Sequence, residues 1–340
     1  MQHFRQKILI ILLLSVGLSL TSCYVPRLAL QQNDLFNSRI PISEVKEPKL
    51  SAEKIAKLKL VKEVVVFAQQ AHLNASGAYQ YYIESPDDVV SYLVQAAYQD
   101  RFEQKKWWFP IVGSVPYRGY FEEGRRDQKA KELSEQGFDV YKTGVGAFSS
   151  LGWFDDPVFS SMLNRNKISL IHLIFHELVH RTVWIKGSVK FNENLAEYVA
   201  DEITVTFLEH KGRIDQYEST EVKRADHLLF KKWLSALKKE LEIIYKDEGL
   251  SSAQKIAKKE LIIQANISNK PPFKKYDFIE SIEWNNAAIM AISLYSPDIE
   301  LFKRAQKCLK AKSAIEFMEL LPARLKGSKN PFKKLASFCK

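Results

Sequence analysis

The residues best placed to do chemistry are His176-Glu177-Leu178-Val179-His180, inside an apolar helical run that continues to Asp201. On a helix, His176 and His180 lie one turn apart on one face, so two imidazoles converge on a single Zn²⁺. Glu177 sits about 100° round the helix, near enough to reach a metal-bound water but poorly placed to be a ligand. A catalytic zinc site takes three protein ligands and keeps its fourth position for water. The third is expected in Phe191-Asn192-Glu193-Asn194-Leu195-Ala196-Glu197. Gly187 reads as the end of the first helix and Asn192 as the cap of a second, over 193–209. Two antiparallel helices return Glu193 to the histidines, giving a His₂Glu set of His176, His180 and Glu193. Glu197 and Asp201 follow on the same face, and one of them could hold the second nitrogen of a zinc-bound histidine. His172 lies one turn before His176. Eight residues accumulate about 80° of drift, so His172 reads as core or supporting residue, not as a ligand beside His180.

Other elements must position these groups. Helical periodicity runs from the Ser51 cap to about residue 70, and a second packing helix is expected from Pro86-Asp87-Asp88 through Val89, Val90, Leu93, Ala96 and Ala97. Extended structure is expected at 107–113, 137–141 and 147–154, with a turn or short strand at 116–121 and a polar helix over 127–136. From Asp201 on the pattern is helical, at roughly 220–245, 251–264, 285–294, 299–311 and 313–320. The fold class is α+β, mostly helical, with a small sheet (about 105–160) next to the metal-site helices (about 166–209) and a helical lobe (about 215–325).

The amino end reads as a targeting device. His3, Arg5 and Lys7 precede an apolar stretch from Ile8 to Leu20, too short for an ordinary membrane span. Leu20-Thr21-Ser22-Cys23 resembles a bacterial lipobox, which implies a signal peptide over 1–22, a lipidated Cys23 and a membrane anchor with no spanning helix. Residues 23–48 read as a tether and 49–340 as the catalytic domain. Tyr24 lacks the aspartate that retains a Gram-negative lipoprotein at the inner membrane, so the expected location is the envelope, with the outer membrane preferred. Only Cys308 and Cys339 are then left; they could pair in an oxidising compartment but make no disulfide framework.

Lys and Arg number 50 against 40 Asp and Glu, a net charge of +10. The excess falls on helical faces such as Lys231-Lys232 and Lys238-Lys239, a solvated surface with secondary attraction for anionic lipid. No basic-aromatic interleaving points to nucleic acid.

Several segments together resemble a family of bacterial zinc aminopeptidases, exported and often lipoproteins. They are 115–121 (VPYRGYF), 136–141 (QGFDVY), 147–157 (AFSSLGWFDDP), 173–180 (LIFHELVH), Phe191-Asn192-Glu193 with Ala196, and Asn285-Asn286-Ala287 with Tyr295. They stand in the family's order over nearly the whole mature chain. The resemblance implies one Zn²⁺ on His176, His180 and Glu193, Glu177 as catalytic base, and a zincin-like, gluzincin-type metallopeptidase fold.

The chemistry implied is metal-assisted hydrolysis of a peptide bond, with Glu177 as base and then acid. The tetrahedral intermediate needs a further donor. Tyr117, Arg118, His227 and Tyr295 are candidates, with Tyr117 and Arg118 favoured. The run 149–154, with Ser150, Gly152 and Trp153, could be an edge strand that pairs with a peptide backbone, or a strand buried in the sheet. An aminopeptidase also binds the substrate's α-ammonium, for which Asp155, Asp156, Glu122 and Glu123 are available. The competing readings are an envelope endopeptidase or peptidoglycan stem-peptide hydrolase on the same site, and a non-catalytic scaffolding lipoprotein. Oligomeric state is left open.

Overall fold

The computed structural model describes residues 24–47, 50–85, 89–109, 112–147, 155–215, 221–273, 277–295 and 299–339. The signal segment, Cys23 and the run 149–154 with Ser150, Gly152 and Trp153 lie outside them. The described chain is mostly helical with small sheets, as an α+β protein.

Residues 24–47 are not a tether. They form helix α1 (Tyr24–Asn37), strand β1 (Ile40–Pro41) and a 3-10 turn, and they bury Phe36, Ile42 and Val45 in the main core. These anchors are too few to show a period. Helix α2 (Ala52–Gln70) follows, capped by Ser51 as expected.

The strands are β2 (Tyr81–Ile83), β3 (Ser91–Tyr98), β4 (Trp107–Phe109), β5 (Gly113–Val115), β6 (Tyr117–Tyr120), β7 (Phe138–Val145) and β8 (Val158–Phe159). One sheet has the order β1-β2-β8, with β2 and β8 parallel and Tyr82 opposite Val158. A second has the order β6-β3-β7, all antiparallel, and is covered by helix α3 (Glu123–Glu135). The helix expected over Val89 to Ala97 is in fact β3. As the central strand it is buried at four consecutive positions, 94–97. Both faces are covered, so the apolar run shows no alternation and fits a helical period equally well.

Helices α4 (Ser160–Leu163), α5 (Lys167–Thr182) and α6 (Val189–His210) come next. The remaining helices are α7 (Glu221–Lys246), α8 (Ser252–Ser268), α9 (Asn286–Ile292), α10 (Ile299–Cys308), α11 (Ala314–Leu325) and α12 (Pro331–Ala336). The expected single lobe over 215–325 divides in two. Helices α7, α8 and α9 have their own core of Phe230, Trp233, Leu237, Leu241, Ile263 and Ile289. By contrast α10 and α11 return to the main core, where Phe302 and Phe317 pack on Tyr198 of α6. A disulfide between Cys308 and Cys339 fastens the carboxyl end to α10.

Candidate metal centre

Helix α5 starts where the Asn166 side chain accepts from the Ser169 amide at 2.9 Å. Leu170, Ile171, Ile174, Phe175, Leu178 and Val179 are buried on one side of it. That packing turns the line His172, His176, His180 towards α6. The helix ends at Thr182, short of the expected Gly187, because Val183 is already extended. Arg181 and Thr182 then pin this end to two earlier segments, one at 74–76 and one at Asp156. Arg181 donates to Asp156 at 2.7 Å and to the Ser76 carbonyl at 2.9 Å, and the Thr182 hydroxyl accepts from the Asn74 amide at 2.9 Å. Helix α6 begins four residues earlier than expected, at Val189. Asn192 is thus not its cap. Its side chain accepts from the Ile185 amide and donates to the Ile185 carbonyl, which fixes the loop between the two helices. Gly187, at φ 73°, donates to the Val112 carbonyl at 3.0 Å, so this loop also rests on the β4–β5 hairpin.

Across the helix pair, His176 Nε2 and His180 Nε2 are 3.1 Å apart. Glu193 brings Oε2 to 3.3 Å from the first and Oε1 to 3.5 Å from the second. Donor atoms arranged tetrahedrally about 2.0–2.1 Å from a zinc ion lie about 3.3 Å from one another. The two histidines match that spacing and Glu193 turns one oxygen to each ring at nearly the same distance, so the three side chains are grouped as a metal-holding set. Their side-chain exposures of 12, 6 and 10% leave a nearly dry site. Glu197 Oε2 lies 3.5 Å from His176 Nδ1, behind the ring, where a supporting carboxylate belongs. Asp201 instead lies 3.2 Å from His172 Nε2.

The charges of the site are strongly coupled. Burial works against an imidazolium at His176, but Glu193, Glu197 and Glu177 outweigh it and raise its pKa to about 10. Burial would raise Glu193, yet His180 and His176 pull it far below the ordinary carboxylate range. Glu177 goes the other way. Burial raises its pKa, reinforced by Glu193 and Asp156 and only partly offset by His176 and His180. One carboxylate is thus held in its charged form beside the imidazoles, while burial favours the protonated form of its neighbour.

The charge of Glu177 reaches two buried tyrosines. Tyr117, on β6, is raised by burial and by the charges of Glu193 and Glu177. Tyr79 was not anticipated. It is 4% exposed and is raised by burial and then by Glu177 and Asp156. Its backbone is left-handed, at φ 58°, and its amide donates to the Asp156 carbonyl at 2.7 Å. A non-glycine residue in that region is uncommon and costs energy that the surroundings must sustain. Tyr79 carries no local motif; the parallel pairing of β2 with β8 delivers it.

Arg118 is not brought to the site. Neighbours along a strand face opposite ways, and its guanidinium lies 3.8 Å over the Tyr24 ring, whereas Tyr117 feels the charges of Glu193 and Glu177. The side chains of His227 and Tyr295 lie outside the described residues. Of the carboxylates considered for an α-ammonium, Asp156 is bound to Arg181, Glu122 to Arg125 and Glu123 to Arg126. Asp155 packs against Gly77, where any side chain would overlap it.

Among the described residues, no helix is long and apolar enough to cross a membrane. No curated protein and no solved structure matches the chain. A family profile described as "Putative aminopeptidase" matches residues 23–321. With a match over most of its length, the chain belongs to that putative aminopeptidase family.

Proposed function

We propose that the protein is a zincin-like metallopeptidase of the bacterial cell envelope that hydrolyses peptide bonds with one Zn²⁺ held by His176, His180 and Glu193. The observation that carries this reading is the spacing of those three donor groups, 3.1 to 3.5 Å, with Glu177 beside them. Zinc, when bound there, would polarise the scissile carbonyl and make the attacking water more acidic. Glu177 takes that water's proton and passes it to the leaving amine; its raised pKa suits a group that must both accept and return it. Glu197 accepts from His176 Nδ1–H and so aims Nε2 at the ion. The Tyr117 and Tyr79 hydroxyls stay protonated and serve as donors to the oxyanion. Cys23 carries the lipid that holds the enzyme at the membrane.

The family description supports release of amino-terminal residues. A specific observation favours internal cleavage instead: three of the four carboxylates considered for the α-ammonium already pair with arginines, leaving Asp155 as the candidate. Aminoacyl fluorogenic substrates assayed against N-blocked, internally quenched peptides decide between the two.

The test of the common reading compares wild type with Glu177→Gln. After dialysis the wild type should retain one tightly held zinc per chain. The variant should keep that zinc and lose about 10²–10⁴-fold in hydrolysis. A wild type that binds no zinc under saturating conditions would falsify the proposal.

A further inference from the structure

The four-residue repeat of α5 meets a four-residue repeat of α6, and the row of opposed groups does not end at His176. One turn further, His172, Glu197 and Asp201 each offer a donor atom, and these lie within 4.8 Å of one another. His172 Nε2 is 3.2 Å from Asp201 Oδ1 and 3.8 Å from Glu197 Oε1. That nitrogen is shielded from solvent, yet it makes no well-directed hydrogen bond among the described residues. An imidazole nitrogen sealed between two carboxylate oxygens and directed squarely at neither is placed as a ligand is placed. We propose that His172, Glu197 and Asp201 form a second divalent-cation site, which regulates the first through their shared neighbour Glu197.

The donor set, one nitrogen and two carboxylates, suits Zn²⁺, Co²⁺ or Mn²⁺ in preference to a soft metal. The side chains are 23, 35 and 34% exposed, so water completes the shell and the ion exchanges with solvent. This site is therefore weaker than the nearly dry one beside it. It is not a co-catalytic partner. Glu197 reaches His176 at Nδ1, whereas the first site uses Nε2, so the two ions would stand on opposite sides of one imidazole ring and share no bridging water. A cation on Glu197 draws electron density from the carboxylate. It thereby weakens the hold on His176 Nδ1–H and lowers the donor strength of Nε2. Excess metal should inhibit.

Binding at the second site does not depend on the proposed hydrolysis; its regulatory effect does, so stoichiometry and activity are measured separately. The purified full chain is equilibrated with rising Zn²⁺ and its bound metal counted, for wild type, His172→Gln, Asp201→Asn and His176→Ala. Wild type should bind two equivalents and each variant one, with the His176→Ala equivalent the weaker. Peptide hydrolysis by wild type should fall tenfold or more as the second equivalent binds, and this inhibition should vanish in His172→Gln and Asp201→Asn. A wild type that saturates at one equivalent, with none bound by His176→Ala, overturns the second site and leaves the first intact. Two equivalents without inhibition overturn the regulation. If neither variant of the second site folds, the wild-type and His176→Ala counts still decide the matter.

Discussion

Two clusters of charged and amide groups among the described residues are built on opposite rules. Where α8 and α9 dock on the second sheet, Asp139 Oδ2 accepts from Lys259 Nζ at 2.7 Å and from the Asn286 amide at 2.9 Å. The Asn286 side chain donates to the Tyr98 carbonyl and accepts from the Tyr245 hydroxyl, and Asn285 donates to the Val140 carbonyl. One cation meets one anion and the amides close the rest. At the helix pair the sums do not balance. Glu177, Glu193, Glu197 and Asp201 crowd about three histidines, while His180 Nδ1, His172 Nε2 and Trp184 Nε1 are buried with no hydrogen-bond partner among the described residues. The first cluster is a clasp, complete as it stands. The second, on the function proposed above, is a receptor that a divalent cation would complete. A buried polar cluster announces function by what it leaves unmatched.

Breaking the clasp should therefore cost stability, and altering the receptor should cost rate. Lys259→Ala strands the Asp139 carboxylate and should lower unfolding free energy by about 3–5 kcal/mol, read by urea titration. Activity per folded molecule should persist. An unchanged midpoint would place the clasp among the ornamental contacts. Reducing the Cys308–Cys339 bridge, with a sequence separation of 31, should remove about 3–4 kcal/mol on a chain-entropy basis. The loss should appear in the melting temperature and leave zinc content alone.

Tyr117→Phe should lower kcat by about 10²–10³ with little effect on the melt. Tyr79→Phe should cost less, because Tyr117 feels both Glu193 and Glu177 whereas Tyr79 feels only the latter of these. The reverse order would make Tyr79 the principal donor.

The smallest effect is graded with pH. His176 in the metal-free fold titrates near 10, above the about 6.5 of an unfolded histidine. Its pairing therefore stabilises the metal-free fold fully below about pH 6.5, and that contribution is lost as pH rises through about 10. Zinc needs the neutral ring, so between about pH 7 and 9 its affinity should rise about tenfold per unit. Competition with a chromophoric chelator at three pH values measures the slope; a flat response would mean that His176 is already neutral.

How much of this was legible in the sequence follows from how local each feature is. The helix pair is written in short-range spacing, His176 to His180 and Glu193 to Glu197. A four-residue step on a helix puts groups on one face wherever the helix lies. The same arithmetic left Glu197 and Asp201 both open as the carboxylate behind His176, and Glu197 is the one found there; the approach of His172 to Asp201 did not follow, because the drift that separates it from His180 brings it towards Asp201 instead. The strand at 91–98 was hidden by burial on both faces. Residues 24–47 were hidden because three distant anchors hold them, and Tyr79 because only the pairing of β2 with β8 carries it to Glu177.

That parallel pairing also sets an order of events. Tyr82 meets Val158 only after a long intervening segment has been closed, whereas α5 and α6 are joined by a short loop. Contacts of low sequence separation form sooner, since less chain entropy is surrendered before they are rewarded. The helix pair should then assemble first and the tyrosines arrive later, so that, on the proposed function, a newly made chain would capture its metal before it could cut anything. In refolding with Co²⁺, the visible absorbance of the filled site should lead the recovery of hydrolysis. If the two rise together, the site forms in one step.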